Sequence, residues 1–247
     1  MSSAGARRMT VVTGSEERRI ISTGSVEIDK KMGGGIPEGS LILIEGQSNA
    51  GKSVITQQLL NGALNSGFRC ILYTTENTPQ SLFRQMASLD LDVTDFFLLG
   101  ALNVYRAPGA LDPDMAATIF DEILDHLATL EGRFDVVFVD SLTSFVSQVP
   151  ESATLRFLTQ VKEFCDRRMT IFFTIHSYAF EEAMFIRMRS LCDAHLRLRV
   201  QEMGDQLMKV LEVAKVRGAE KSTGNIVNFD VEPGLGMRII PVSSAKA

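Results

Sequence analysis

The sequence LILIEGQSNAGKS, residues 41–53, joins a short apolar run to a glycine-bounded loop. Its second part, residues 46–53, matches the phosphate-binding pattern G-x-x-x-x-G-K-[ST] in full. The glycines let the backbone N–H groups converge on a phosphate, and the helix that follows points its positive end at the same oxygens. Lys52 is expected to reach the β- and γ-phosphates of ATP, and the Ser53 hydroxyl to bind Mg²⁺. The predicted nucleotide-binding residues of this loop are Gly46, Gln47, Ser48, Asn49, Ala50, Gly51, Lys52, Ser53 and Val54.

Apolar strands alternate with helical stretches on both sides of this motif. Strands are predicted at residues 41–45, 70–74, 102–105, 135–140 and 170–175, and helices at 52–65, 79–89, 113–130, 153–167 and 179–190. Such alternation implies βαβ units and a parallel sheet. Later strands, at 195–200, 207–216, 225–231 and 237–240, carry interspersed charges, as half-exposed antiparallel strands do. We therefore expect an α/β fold whose mainly parallel sheet is flanked by helices and extended by antiparallel C-terminal strands.

The chain is expected to form a single nucleotide-binding domain over residues 21–247. Residues 1–20 lack clear periodicity and are expected to form an N-terminal arm, either mobile or a short edge strand, and the glycine-rich stretch 32–40 is expected to be a loop. The start has no apolar signal segment, and no apolar run approaches the length of a membrane span. A cytoplasmic location is therefore expected.

Charge and cysteine content exclude several functional classes. The net charge of −5 argues against a broad nucleic-acid surface, which needs clustered Lys and Arg. The 3 cysteines are far apart and form no C-x-x-C pair, which favours buried thiols over disulfides or a zinc site.

Asp140 ends the apolar run 136–139 and is the predicted second ligand of Mg²⁺, beside Ser53. A carboxylate at the carboxyl end of a parallel strand faces the ligand crevice, where phosphate-loop proteins hold the metal. The alternative is that Asp140 and Ser141 cap the next helix.

Two further strand ends carry candidate catalytic residues. Glu76 follows the second strand and is the candidate general base that would activate the attacking water; the alternative is a solvated loop acid or a cap of helix 79–89. His176 ends the strand at 170–175 and is a candidate sensor of the γ-phosphate; the alternative is a structural histidine. No sequence context supports a role for His126 or His195.

Lys215 and Arg217 stand two residues apart on a late strand, so their side chains point to the same face. They form either an exposed charged face or a pair that reaches the γ-phosphate of a neighbouring subunit, as arginine fingers do.

The motifs and their order resemble the RecA-fold, KaiC-like ATPases. The resemblance begins at about Gly24 and rests on GGGIPEGS (33–40), YTTEN (73–77), VFVDS (137–141), TIH (174–176) and KVRGA (215–219). His176 and the tail at 239–247 point to one branch, the accessory ATPases of the archaellum, which is the archaeal flagellum.

The resemblance implies hexameric rings with nucleotide bound near the subunit boundary. The implied partners are the motor ATPase FlaI, the ring-forming protein FlaX and the membrane platform protein FlaJ, at the membrane base of the archaellum. Family members usually carry two adjacent glutamates after the second strand, whereas this chain has Glu76 and Asn77. Since an amide cannot act as a base, the resemblance implies slow ATP hydrolysis or none.

Three functions remain open from the sequence. The first is a nucleotide-switched regulatory or assembly component of the archaellum motor. The second is a multiple-turnover ATPase that uses Glu76 as its base. The third, which the acidic charge disfavours, is a RecA-like DNA-binding ATPase.

Overall fold

The computed structural model describes residues 18–107, 113–203, 206–219 and 226–240. In these residues the strands are β1 (Ile20–Ile21), β2 (Ile36–Pro37), β3 (Leu41–Gly46), β4 (Cys70–Thr74), β5 (Leu102–Arg106), β6 (Val136–Asp140), β7 (Thr170–His176), β8 (Ala194–Met203), β9 (Gln206–Val216), β10 (Ile226–Glu232) and β11 (Gly236–Ile240). The helices are α1 (Val26–Lys31), α2 (Lys52–Asn65), α3 (Pro79–Ala87), α4 (Thr94–Leu98), α5 (Pro113–Leu130), α6 (Thr143–Val146), α7 (Glu151–Asp166) and α8 (Glu182–Leu191).

Within the described residues, nine strands form one sheet in the order β11-β10-β9-β8-β3-β7-β6-β4-β5. From β8 to β5 all neighbours are parallel, and from β8 to β11 they are antiparallel. This confirms the expected α/β class, with a parallel core and an antiparallel C-terminal extension. The parallel register brings Gly46 beside His176 and Thr74 beside Asp140, so the carboxyl ends of these strands lie along one edge.

Helices cover both faces of the sheet because the strands are apolar on both faces. In β3, Ile42 and Ile44 face a core shared with α1–α4, whereas Leu41 and Leu43 face a second core shared with α5–α8. The stacked pair Phe138 and Phe172 adds to the first core. The buried run at 41–44 thus fits a central parallel strand.

Short elements differ from the sequence-based expectation. The stretch 32–40 was expected to be a loop, but Ile36–Pro37 pairs with Ile20–Ile21 in a small antiparallel sheet. Helices α1, α4 and α6 were not expected, and α8 begins at Glu182 rather than at residue 179. Helices α1, α4 and α6 and the β1–β2 pair are too short for hydrophobic periodicity to mark them.

Arg19 attaches the start of the described chain to the domain. Its guanidinium bonds Glu38 and Asp135 at 2.8 Å each and lies 4.1 Å from the centre of the Phe68 ring. The rest of the expected N-terminal arm, residues 1–17, lies outside the described residues, as does most of the 239–247 tail. Among the helices that the structure describes, none combines the length and apolar character needed to cross a bilayer.

Candidate functional site

The phosphate loop forms one wall of a cavity of about 450 Å³ at the carboxyl edge of the sheet. The cavity is lined by residues from the loop and the start of α2 and from five other segments: Ser48, Asn49, Gly51, Lys52, Ser53, Val54, Glu76, Asp140, Ser141, His176, Lys209 and Val231. The structure thus brings the phosphate loop together with Asp140, Glu76 and His176.

The conformation of the loop depends on residues with little or no side chain at two points. Gly51 has φ 95°, and a Cβ there would lie 3.0 Å from the Phe229 ring. At Gly46 a Cβ would lie 2.6 Å from the Leu198 carbonyl oxygen, so β8 packs directly against the loop entrance. The Gln47 side chain accepts a hydrogen bond from the Val200 backbone N–H at 3.1 Å, and Ala50 is buried. These contacts fix the loop in a curled form.

The Lys52 ammonium bends back onto the loop. It donates to the carbonyl oxygens of Gly46 at 3.2 Å and Gln47 at 2.8 Å, and it lies 3.1 Å from Nδ1 of His176. Burial lowers the pKa of Lys52, and the carboxylates of Asp140 and Glu76 oppose that shift. Among the described residues the acceptors that contact this buried cation are neutral, so it is well suited to receive phosphate oxygens.

The His176 ring that contacts Lys52 is neutral. An ammonium only donates, so Nδ1 must accept and the ring proton lies on Nε2. Burial, together with the charge of Lys52, lowers the pKa of His176 and favours this neutral form. The backbone N–H of His176 donates to the Thr143 hydroxyl at 2.9 Å, and the ring stacks on Tyr178. The imidazole is therefore held against the cation that would contact the terminal phosphates.

Asp140 is joined to the loop through Ser53. Burial raises the pKa of Asp140, while hydrogen bonds from Thr174, at 2.6 Å, and from Ser53 oppose the shift. Helix α6 starts after Leu142 without a side-chain cap, so the alternative of Asp140 as a helix cap is wrong. A serine hydroxyl beside a carboxylate is an oxygen donor set that suits Mg²⁺. Within the described residues no cluster of three or more His, Cys, Asp or Glu forms a separate metal site.

Glu76 is exposed and lines the cavity. Helix α3 is capped by Thr78, whose hydroxyl accepts from the Ser81 N–H, so Glu76 does not cap that helix. Asn77 is not part of the cavity wall; its side chain accepts from the Ser81 hydroxyl at 3.4 Å. Glu76 is thus positioned to face a ligand, and its neighbour is not.

Lys215 and Arg217 lie outside this cavity. Lys215 pairs with His195, three positions before Leu198, the residue beside Gly46; at 3.3 Å per residue this is roughly 10 Å from the loop. Its ammonium donates to the Arg189 and Cys192 carbonyls at 3.1 and 2.5 Å, at the end of α8. Arg217 is more exposed and lies 3.6 Å from Asp193. Within one chain neither residue can touch the nucleotide that the loop would hold.

Lys209 and Val231 line the cavity but were not predicted as site residues. Both come from the antiparallel extension, Lys209 from β9 and Val231 from β10. The sequence shows Lys209 only as a charge in a half-exposed strand, and nothing local indicates that β9 and β10 reach the phosphate loop.

Two histidines without sequence context have structural partners. His195 is buried and contacts Glu45 at 3.0 Å, and Glu45 also bonds Arg189. His126 accepts from or donates to the Tyr73 hydroxyl at 2.8 Å. Cys70, Cys165 and Cys192 are buried free thiols, as predicted, and burial raises the pKa of Cys192 to about 12.

Comparison with known proteins identifies the relatives of this chain. A family model described as "ATPase: KaiC" matches residues 21–244. The archaeal flagellar ATP-binding protein FlaH of Sulfolobus acidocaldarius is 31% identical over 92% of this chain and 100% of its own length. FlaH of Methanocaldococcus jannaschii is 27% identical over 86% of this chain and 91% of its own. The crystal structure of the flagellar accessory protein FlaH from M. jannaschii superposes with a TM-score of 0.78, at 24% identity, over 92% of this chain and 100% of that chain.

Proposed function

Because the chain belongs to the KaiC family of ATPases and is similar to FlaH over nearly its whole length, we propose that it is an ATP-binding component of the archaeal flagellum motor. In this proposal ATP acts mainly as a conformational ligand, with slow hydrolysis or none. One observation carries the nucleotide-binding part: a complete phosphate loop shares a cavity with Asp140, Glu76 and His176.

Different residues of the cavity hold different parts of a bound triphosphate. The loop N–H groups and the N-terminus of α2 hold the phosphates, and Lys52 exchanges the loop carbonyls for β- and γ-phosphate oxygens. Ser53 and Asp140 would hold Mg²⁺, which would supply positive charge against the phosphoryl oxygens. His176 contacts Lys52, so its ring registers whether that cation is engaged by a phosphate.

The proposal extends to an assembly. Hexameric rings, with Lys215 and Arg217 reaching the nucleotide of a neighbouring subunit, account for two cations that do not line the cavity of their own chain, of which Lys215 lies about 10 Å from the loop. The expected partners are FlaI, FlaX and FlaJ, at the membrane base of the motor. This part is supported by the similarity to FlaH and by the exposure of Arg217.

Calorimetric titration with ATP and Mg²⁺ tests the nucleotide-binding part. The wild-type chain should bind, and Lys52→Ala should lose about 2–5 kcal/mol of binding free energy because a buried cation facing the phosphates is removed. Equal affinity in the two proteins, or absence of binding in both, would reject the site.

A multiple-turnover ATPase is the second candidate, and the position of Glu76 on the cavity wall favours it. Sustained phosphate release at saturating ATP, lost in Glu76→Gln, would select this candidate over the switch.

A further inference from the structure

Lys209 stands on the opposite side of the phosphate loop from the carboxylates. In the sheet order, β9 and β10 lie on one side of β3, whereas β7, β6 and β4 lie on the other. Asp140 and Glu76 belong to the second side, which is where the metal and the γ-phosphate must lie. The α-phosphate and the nucleoside of a bound nucleotide would therefore extend towards Lys209 and Val231.

The Lys209 side chain runs along the loop itself. A Cβ at Gly51 would lie 3.7 Å from its Cδ, and the Phe229 ring lies against the same glycine. In phosphate loops the backbone at this point cradles the α- and β-phosphates, while the loop lysine reaches the β- and γ-phosphates. Lys209 is thus a cation placed beside the α- and β-phosphate part of the site, which ADP and ATP share.

The ammonium of Lys209 is held only loosely. Its Nζ lies 3.4 Å from Oδ1 of Asp230, with side-chain exposures of 29% and 51%. An ion pair this open to solvent contributes little stability, and several phosphate charges compete for the cation more strongly than one carboxylate does. Asp230 keeps a second partner, the Val231 N–H at 2.8 Å, when the lysine leaves.

We propose that Lys209 is a nucleotide-binding residue that leaves Asp230 to contact the α- and β-phosphates, and that Asp230 limits nucleotide affinity by holding it back. The inference rests on the proposed function and adds a specific role for the antiparallel extension: β9 and β10 form the diphosphate side of the site. The contact does not involve the γ-phosphate, so it sets overall affinity and not the preference for ATP over ADP.

Substitutions of Lys209 and of Asp230 should have opposite effects on nucleotide affinity. Lys209→Met keeps the apolar stem against Gly51 and removes the charge, so the Kd for ADP and the Kd for ATP should both rise about tenfold. Asp230→Asn removes the competing carboxylate, so both Kd values should fall by about two- to fivefold. A purely structural ion pair would instead shift both variants in the same direction.

Calorimetry with ADP and with ATP, each with Mg²⁺, measures these constants on the 247-residue chain. Lys209→Arg should restore affinity, and the thermal midpoint without nucleotide should show that all variants are folded. Arg199 and Glu212, an ion pair at 3.7 Å on β8 and β9 outside the cavity, provide the control: Arg199→Met and Glu212→Gln should leave both Kd values unchanged.

The measured affinities test the role of Lys209 separately from the proposed function. Wild-type affinity in a folded Lys209→Met variant, or a loss confined to ATP, would overturn the role of Lys209. If Lys52→Ala still abolishes binding in that case, the proposed function stands without this inference. If the wild-type chain binds neither nucleotide, both proposals fail.

Discussion

Glu76 and Asn77 are adjacent in sequence but only Glu76 lines the cavity. We expect wild-type turnover below about 1 s⁻¹, since Asn77, the neighbour of Glu76, is an amide that cannot serve as a second base. Glu76→Gln should reduce the remaining turnover by about 100-fold or more, because a positioned general base is lost. ATP affinity should stay close to that of the wild type. Phosphate release and calorimetric binding, measured on the same preparations, check both statements.

Asn77→Ala is the matched control for this prediction. The Asn77 side chain contacts the Ser81 hydroxyl and not the cavity, so its loss should leave turnover unchanged. Turnover that survives Glu76→Gln would place the base elsewhere in the site.

At the residue scale, the sequence predicts the position of a residue that ends a strand, but not that of a residue placed by packing between distant segments. Asp140, Glu76 and His176 each end or follow a parallel strand, and parallel strands finish at a common edge. Lys209 lines the cavity because β9 and β10 pack against Gly51, and this is a contact between segments that are distant in sequence. The sequence also gives no sign that Lys215 is bonded to the end of α8 in its own chain.

Three elements meet at Glu45, the residue before the phosphate loop. Arg189 of α8 contacts both of its carboxylate oxygens, at 3.0 and 2.8 Å, and His195 of β8 contacts one of them. Burial acts against ionisation, but the hydrogen bonds from His195 and Arg189 outweigh it and hold the pKa of Glu45 below its ordinary value. The ionised carboxylate therefore stabilises the attachment of α8 to β3.

Glu45→Gln should lower the free energy of unfolding at pH 7 by about 3 kcal/mol, because it breaks a buried ion pair. The folded-state pKa is lowered, so the contribution of Glu45 is present above its unfolded pKa and is lost as the pH falls through its folded pKa. The difference between wild type and variant should therefore shrink below about pH 4.5, the ordinary value for this carboxyl. Urea unfolding of both proteins at pH 7 and at pH 4 measures this difference in the free energy of unfolding.

Glu182→Gln is the control, because Glu182 is the exposed partner of the same arginine. Its removal should cost no more than about 0.5 kcal/mol, as is usual for a pair open to solvent. Equal costs for the two substitutions would contradict the role assigned to Glu45.

Gly62, inside α2, shows how packing can reverse a helix propensity. Alanine in a helix interior usually stabilises the helix by about 1 kcal/mol relative to glycine. Here a Cβ would lie 2.2 Å from the Ser22 carbonyl oxygen and 2.6 Å from the Thr23 carbonyl carbon, both backbone atoms. Gly62→Ala should therefore destabilise the domain by about 1–3 kcal/mol.

A thermal melt without ligand can measure this change, which corresponds to roughly 2–4 °C per kcal/mol at this chain length. Thr159→Ala, on the exposed part of α7, should instead be neutral or slightly stabilising. A higher midpoint for Gly62→Ala would mean that the segment before α1 does not pack on α2 as described.

At the element scale, length decides what the sequence can predict. The predicted bounds of α2, β4 and α5 agree with the structure, because glycine or proline residues lie close to the ends of each run. Helices α1, α4 and α6 have six, five and four residues and complete too few turns for an apolar periodicity. The β1–β2 pairing joins segments of two residues, and only the tertiary fold brings them together.

At the scale of the whole molecule, the nucleotide cavity and the Lys215–Arg217 pair occupy different levels of the sheet. The cavity lies at the carboxyl edge of the parallel strands, whereas Arg217 lies next to Asp193, which precedes β8. A second copy of the chain can bring such separated surfaces together, and a closed ring does so at every boundary. If Arg217 contacts a neighbour's γ-phosphate, ATP stabilises the ring more than ADP does.

The contacts of the two cations separate assembly from folding. Lys215 is partly buried and donates to two carbonyls at the end of α8, so Lys215→Ala should lower stability by about 1–3 kcal/mol as well as any assembly. Arg217 is 57% exposed, and its side-chain partners among the described residues are distant, at 3.5 Å for the Ser190 carbonyl and 3.6 Å for Asp193. Arg217→Ala should therefore leave stability within about 0.5 kcal/mol of wild type. Light scattering of the Arg217→Ala chain at fixed protein concentration should then show weaker assembly with ATP or a non-hydrolysable analogue, while ATP binding to the monomer is retained.

Arg187→Ala, which removes an exposed cation from the neighbouring helix α8, is the control for a general loss of positive charge. If the Arg217→Ala chain assembles with ATP as the wild type does, Arg217 belongs to an exposed strand end and makes no contact with a neighbour's nucleotide.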